Sequence, residues 1–194
     1  MAQPKFLFLT LALINLCSLQ LIAQAISPDR HWEITMAFES TPAPAASVSA
    51  VRLSDKSSQV LFEQAYNSRP GPEVQDLEAI KWTKDSKAFF IPIHGRRCED
   101  FSVYGLEKGR WKEVLRDDSS SDERMVWNSV TGDNRYYLVE AEAWIRQNVL
   151  KWTFSRGNGN VAVFYHRLEV GPSGIVLRFV SGKIETGANG NLRK

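Results

Sequence analysis

Ala79-Ile80-Lys81-Trp82-Thr83-Lys84-Asp85-Ser86-Lys87-Ala88-Phe89-Phe90-Ile91 is the stretch whose reading decides the fold. Its order is apolar strand, tryptophan, polar turn with an aspartate, apolar strand. That order is the logic of a hairpin: an Asp side chain satisfies turn amides, and an indole at the strand end covers a neighbouring sheet.

Three other segments echo the order. Ala50-Val51-Arg52-Leu53-Ser54-Asp55-Lys56 leads to Val60-Leu61-Phe62, and Met125-Val126-Trp127 leads through Thr131-Gly132-Asp133-Asn134 to Tyr136-Tyr137-Leu138. Leu150-Lys151-Trp152 leads through Gly157-Asn158-Gly159-Asn160 to Val161-Ala162-Val163-Phe164. The rest of the chain has the same texture, with short β-branched and aromatic runs punctuated by Gly, Asn, Asp and Ser.

Twelve strands are predicted, at His31–Glu39, Val48–Leu53, Gln59–Tyr66, Leu77–Thr83, Lys87–His94, Phe101–Leu106, Trp111–Arg116, Arg124–Asn128, Arg135–Glu142, Val149–Phe154, Asn160–Leu168 and Gly174–Val180. A short helix near 140–150 competes with this pattern, because Ala141, Ile145 and Val149 fall on one helical face. Prolines 42 and 44 make 40–47 an extended connector, and 68–73 reads as a sharp turn. Asp117–Glu123 reads as an acidic, serine-rich surface loop, and 181–194 as a flexible tail. The fold class expected is all-β, an antiparallel meander of propeller-like hairpins, with a β-sandwich or barrel as alternative.

Trp82-Thr83-Lys84-Asp85-Ser86-Lys87 followed by an apolar run resembles the Trp-Ser-x-Asp-Gly-x hairpin of Tol-type and WD-repeat β-propellers, with Ser86 standing where the motif has Gly. The step of 45 residues from Trp82 to Trp127 matches the length of one four-stranded blade. The resemblance covers residues 77–116. It implies a binding scaffold and brings no catalytic residue to this chain.

The first 25 residues read as a secretory signal peptide. Lys5 forms a short basic start, an apolar run extends from Phe6 to Ala23, and Ala23-Gln24-Ala25 offers the small residues that signal peptidase accepts. Thr10, Asn15, Ser18 and Gln20 weaken the rival reading of a retained anchor. Leu16 before Cys17 speaks against a lipoprotein site. Cleavage after Ala25 leaves one domain, 26–180, plus the tail, and places it in the periplasm or outside the cell. The polar Ser27-Pro28-Asp29 is expected to keep the processed end extended and accessible.

Cys17 leaves with the signal, so Cys98 stays single and the core is held by packing without a disulfide. With 24 basic and 22 acidic residues, and the two signs interspersed, no nucleic-acid field and no stable membrane span after cleavage are expected.

The densest polar cluster is His94-Gly95-Arg96-Arg97-Cys98-Glu99-Asp100. His94 could activate Cys98 as a thiolate beside two arginines, but four-residue spacing on a loop specifies no geometry. His94, Arg96, Arg97 and Cys98 are therefore read as a binding loop suited to anions or a partner. His31, His94 and His166 form no ligand-spaced pair, so no metal and no cofactor is expected, and His166 reads as an ordinary strand histidine. Glu140 with Glu142 and Asp117 with Asp118 read as solvated charges. Six Trp, five Tyr and ten Phe suit either inter-sheet packing or a sugar- or peptide-binding surface. The expected function is a secreted or periplasmic non-enzymatic binding or scaffold domain with a protein or carbohydrate partner. A hydrolase with an unrecognised acidic pair and an envelope-assembly subunit acting by sheet-edge pairing are the alternatives.

Overall fold

The turn at Thr83 forms as the sequence predicts. Its N–H donates to the Ala88 carbonyl at 2.8 Å, and its hydroxyl accepts from the Ala88 N–H at 3.0 Å while donating to Asp85 at 2.7 Å. The motif's glycine position is filled by Ser86 at φ 57°, a left-handed conformation that non-glycine residues adopt at some cost. The same turn recurs at Ser27. Ser27 N–H bonds the Trp32 carbonyl at 2.9 Å, Trp32 N–H bonds the Ser27 hydroxyl at 3.0 Å, that hydroxyl donates to Asp29 at 2.6 Å, and Arg30 takes φ 58°. The two turns touch, with the Asp29 N–H donating to Ser86 Oγ at 3.0 Å.

Each turn opens a four-stranded antiparallel meander. The computed structural model describes residues 25–39, 45–65, 79–94, 98–117, 119–132, 137–146, 148–157, 159–171 and 174–185. The first sheet runs β1 (Ala25–Ile26), β2 (Trp32–Glu39), β3 (Ala45–Arg52) and β4 (Ser58–Ala65) in that order. The second meander runs β5 (Lys81–Trp82), β6 (Ala88–His94), β7 (Cys98–Glu107) and β8 (Arg110–Glu113).

The second meander continues into a larger sheet. β9 (Leu115–Arg116) precedes a helix, α1 (Ser121–Asn128), and then come β10 (Tyr137–Ile145), β11 (Val149–Arg156), β12 (Val161–Gly171) and β13 (Gly174–Glu185). β7 pairs β10 in parallel at only two positions, Cys98 with Tyr137 and Glu99 with Leu138. From β10 to β13 the pairing is antiparallel, and β13 then takes β9 in parallel. The run 110–116 thus bonds β7 with its first half and β13 with its second, so this sheet curls into a half-barrel.

β6 explains why its sequence is apolar at nearly every position. Phe89 and Ile91 face the four-stranded sheet, in a core with Trp32, Ile34, Val48, Tyr104 and Trp111. Phe90 faces the half-barrel, whose core holds Val103, Val139, Leu150, Trp152, Phe154 and Phe164. A strand buried on both sides has no polar face to show. Tryptophans from several strands close the first core, with Trp111 meeting Trp32 at 5.4 Å and Trp82 at 5.5 Å in edge-on geometry.

Gln59 joins the two sheets through its side chain alone. Its amide donates to the Trp111 carbonyl at 2.6 Å and accepts from the Trp111 N–H at 2.8 Å, filling the place of a strand neighbour. Gln59→Ala leaves both backbone groups without that partner and is expected to cost about 2–3 kcal/mol, read from the shift in a urea unfolding midpoint.

Several expectations need correction. The segment near 140–150 is the β10–β11 hairpin, because eight cross-strand pairs with β11 outweigh a weak helical period. The helix lies instead at Ser121–Asn128, where a strand was predicted over Arg124–Asn128 and a loop over Asp117–Glu123. Ser120 caps it by accepting from the Glu123 N–H, and Val126 and Trp127 turn inward. Residues 181–185 continue β13 rather than starting a tail, and 186–194 lie outside the described residues. The Ser27-Pro28-Asp29 stretch is a closed turn with Ser27 buried, since its hydroxyl has two backbone partners to satisfy. Of the connector predicted over 40–47, residues 45–47 belong to β3, where they pair with β2 and β4, while 40–44, the predicted turn at 68–73 and the signal segment up to 24 lie outside the described residues. No helix among the described residues is long and apolar enough to cross a membrane.

The turns make the fold acid-sensitive. Burial raises the Asp29 carboxyl, but hydrogen bonds from the Ser27 hydroxyl and the His31 N–H, with the His31 ring beside it, outweigh this and hold it below its ordinary range. The Ser57 hydroxyl and N–H do the same for Asp55, and those of Ser119 for Asp117. A carboxyl lowered in the folded state contributes stability above its unfolded value, and that contribution disappears as pH falls through the lower folded value. The melting temperature is therefore expected to hold level down to about pH 4 and to fall below it. An unchanged melting temperature at pH 3 would contradict this.

Candidate functional site

Strand alternation sets the site. On β11, Leu150, Trp152 and Phe154 all point into the half-barrel, and Arg156, two further along, comes out at its mouth. β9 brings Arg116 to the same mouth from the opposite wall. Arg116, Trp127, Tyr137, Val139, Phe154, Arg156 and Asp100 line a cleft of about 430 Å³ there. It opens where β7 and β10 pair so briefly.

The floor is aromatic. Trp127 lies flat on Phe154, with ring centres 3.9 Å apart and planes 8° from parallel. The Arg156 guanidinium sits over the Phe154 ring at 5.4 Å, and Arg116 sits over Trp152 at 5.1 Å and Trp127 at 5.4 Å. Such cation–π contacts are worth about 0.5–2 kcal/mol and fix where the guanidinium can be. The backbone beneath Arg156 is tied at several points. Gly132 bridges it in parallel, and Asn160 pins the adjoining segment by accepting from Thr131 N–H at 2.7 Å and donating to the Ser129 carbonyl at 3.1 Å.

Beneath the cleft lies a chain of buried polar groups. The Trp152 indole N–H donates to His166 Nδ1 at 2.9 Å, which puts the imidazole proton on Nε2. That nitrogen is 3.1 Å from Glu123 Oε1, without the alignment of a hydrogen bond. Arg116 Nε stands 3.5 Å from the same oxygen, and Glu123 Oε2 has no hydrogen-bond partner among the described residues. His166 is 0% exposed and Glu123 5%. Glu123 is at the third helical position after the Ser120 cap, from which a glutamate often reaches back to the cap's own N–H. Here it reaches inward and holds Arg116 instead.

The loop cluster singled out in the sequence is described only at its two strand ends and at Asp100. His94 closes β6 and pairs through its backbone with Glu99; Cys98 opens β7 and pairs with Tyr137. Arg96 and Arg97, and the side chains of His94, Cys98 and Glu99, lie outside what is described. Asp100, the last member of that run, lines the cleft. Arg116, Trp127 and Arg156 escaped the sequence reading. The spacing Trp152-x-Phe154-x-Arg156 on a strand was the available signal, and Ser120-x-x-Glu123 was the signal for the helix. His166, read as an ordinary strand histidine, is the centre of the buried chain.

Other charged groups have simpler roles. Glu142 pairs with Lys151, and Asp117 with Arg178 at 3.4 Å. A larger hollow of about 500 Å³ lies between the sheets beside Arg52 and Arg110. There Arg52 is engaged by Asp55, by the Gly109 carbonyl and by the Trp32 ring, so it serves the joint between the sheets. Among the described residues no three His, Cys, Asp or Glu side chains converge as a metal site. No known family profile matches the chain, and no curated protein is similar to it.

Proposed function

We propose that the chain is a non-enzymatic binding domain working outside the cytosol, with the cleft between Arg116 and Arg156 as its binding site. The observation that carries this reading is the cleft itself: two guanidiniums held over an aromatic floor by a frame tied at several points. Preorganised cations over flat apolar surface supply affinity without ordering cost. The buried acid–base groups beneath it are committed to structure. His166 has one nitrogen taken by Trp152 and the other turned to Glu123, and both side chains are enclosed. The signal-like segment supports the location.

The test uses the full chain, tagged at its C-terminus and expressed in its native host. Arg156→Gln is expected to lose at least tenfold of the partner captured from the extracytoplasmic fraction by the wild type, while its melting temperature falls by no more than about 5 °C. Equal capture by both proteins would remove the cleft from the reading, and recovery of the chain in the cytosol would remove the location. The assembly reading keeps one supporting observation: β4 is an edge of its sheet among the described residues and exposes Val60.

A further inference from the structure

Resting on the cleft as binding site, we propose that its ligand is a carboxylate carried on a flat apolar group. Arg156 decides the charge. No carboxylate among the described residues pairs with it, while its guanidinium is seated on Phe154 beside the opening. A guanidinium resting on a ring keeps its N–H donors at the edge of its plane, in the fork that matches the two oxygens of a carboxylate. Arg116, held from below by Glu123, forms the other wall.

The remaining lining narrows the class. Glu123 already answers Arg116, so Arg156 is the cation that meets the ligand, which suits one negative charge, and Asp100 repels a second. Trp127, Phe154, Tyr137 and Val139 provide apolar and aromatic surface for the ligand's body. An uncharged sugar would leave Arg156 without a carboxylate partner, and a cation would be repelled by it. Two sources carry the required chemistry: a small arylalkyl acid, and a peptide ending in an apolar residue, whose chain amides Asp100 could accept from.

Isothermal titration of the full-length chain separates these cases with four probes: 3-phenylpropionate and its amide, and acetyl-Gly-Gly-Phe with a free or an amidated C-terminus. Both acids are expected to bind saturably and each amide at least tenfold more weakly, a difference of about 1.4 kcal/mol. Arg156→Gln is expected to bring the acids down to the level of the amides, with Arg156→Lys between, since it keeps the charge and loses the fork. A tighter peptide identifies a protein C-terminus as the source, and equal binding identifies a small acid; both outcomes support the proposal. Equal affinity for acid and amide, lost in Arg156→Gln, would overturn the carboxylate while leaving the cleft as a binding site. Absence of saturable binding by either acid to the folded chain would overturn the proposal, and the cleft reading itself falls only if Arg156→Gln also captures the same partner as the wild type.

Discussion

Trp152→Ala is expected to lower stability by about 3–5 kcal/mol, enough to bring the melting temperature down by about 10 °C or to prevent folding. Trp152 is 1% exposed and sits at the centre of the half-barrel. It stacks on Phe164 at 4.3 Å and meets Phe101 at 5.8 Å and Trp127 at 6.0 Å. Removal of the indole opens a cavity between walls that cannot collapse, because their strands are paired along most of their length. It also strips His166 Nδ1 of its donor, a second cost of about 1–3 kcal/mol. Trp152→Phe separates the two effects: it keeps most of the packing and loses the N–H, so it is expected to fall between wild type and alanine. If Trp152→Ala melts within 2 °C of the wild type, the half-barrel core is not where the stability lies.

Gly132→Ala is expected to be nearly as damaging, although it adds only a methyl group. Gly132 has φ 137°, and a Cβ there would come within 1.8 Å of the Arg156 carbonyl oxygen. Backbone cannot yield as a side-chain tip does, so the bridge to Arg156 must open. A loss of about 3 kcal/mol is expected, measured by denaturant unfolding. Because that bridge lies under Arg156, affinity at the cleft should fall with stability. Gly109→Ala is the control: its φ of 79° carries strain, but its nearest neighbour is the Arg52 side chain at 3.7 Å. Its cost should stay near 1 kcal/mol.

The all-β class was legible because the turns announce themselves. Thr83-x-Asp85 and Asp55 between Arg52 and Ser57 encode their hydrogen bonds locally, and the stretch 88–91 shows by its lack of alternation that both its faces are covered. The helix was less legible. Val126 and Trp127 suit a strand as well as a helix, and the choice is made by the Ser120 cap and by a surface for Trp127 on Phe154 that comes from another part of the chain. The 140–150 segment failed for the opposite reason: its local period is ambiguous, and only the register with β11 decides it. The site was the least legible part. Arg116 and Arg156 are forty positions apart in sequence, and neither belongs to a motif. Their meeting depends on a parallel pairing between β9 and β13 that no local pattern encodes.

That pairing also has an expected effect on the order of assembly. The two turns at Ser27 and Thr83 and their hairpins use contacts close in sequence, and such contacts form early. Joining Leu115 to Val176 and Arg116 to Leu177 closes a long loop and carries its entropic cost. The cleft is therefore expected to form last. A nascent chain that has not yet delivered Gly174–Glu185 can build its first sheet while it still lacks the strand that sets Arg116 opposite Arg156.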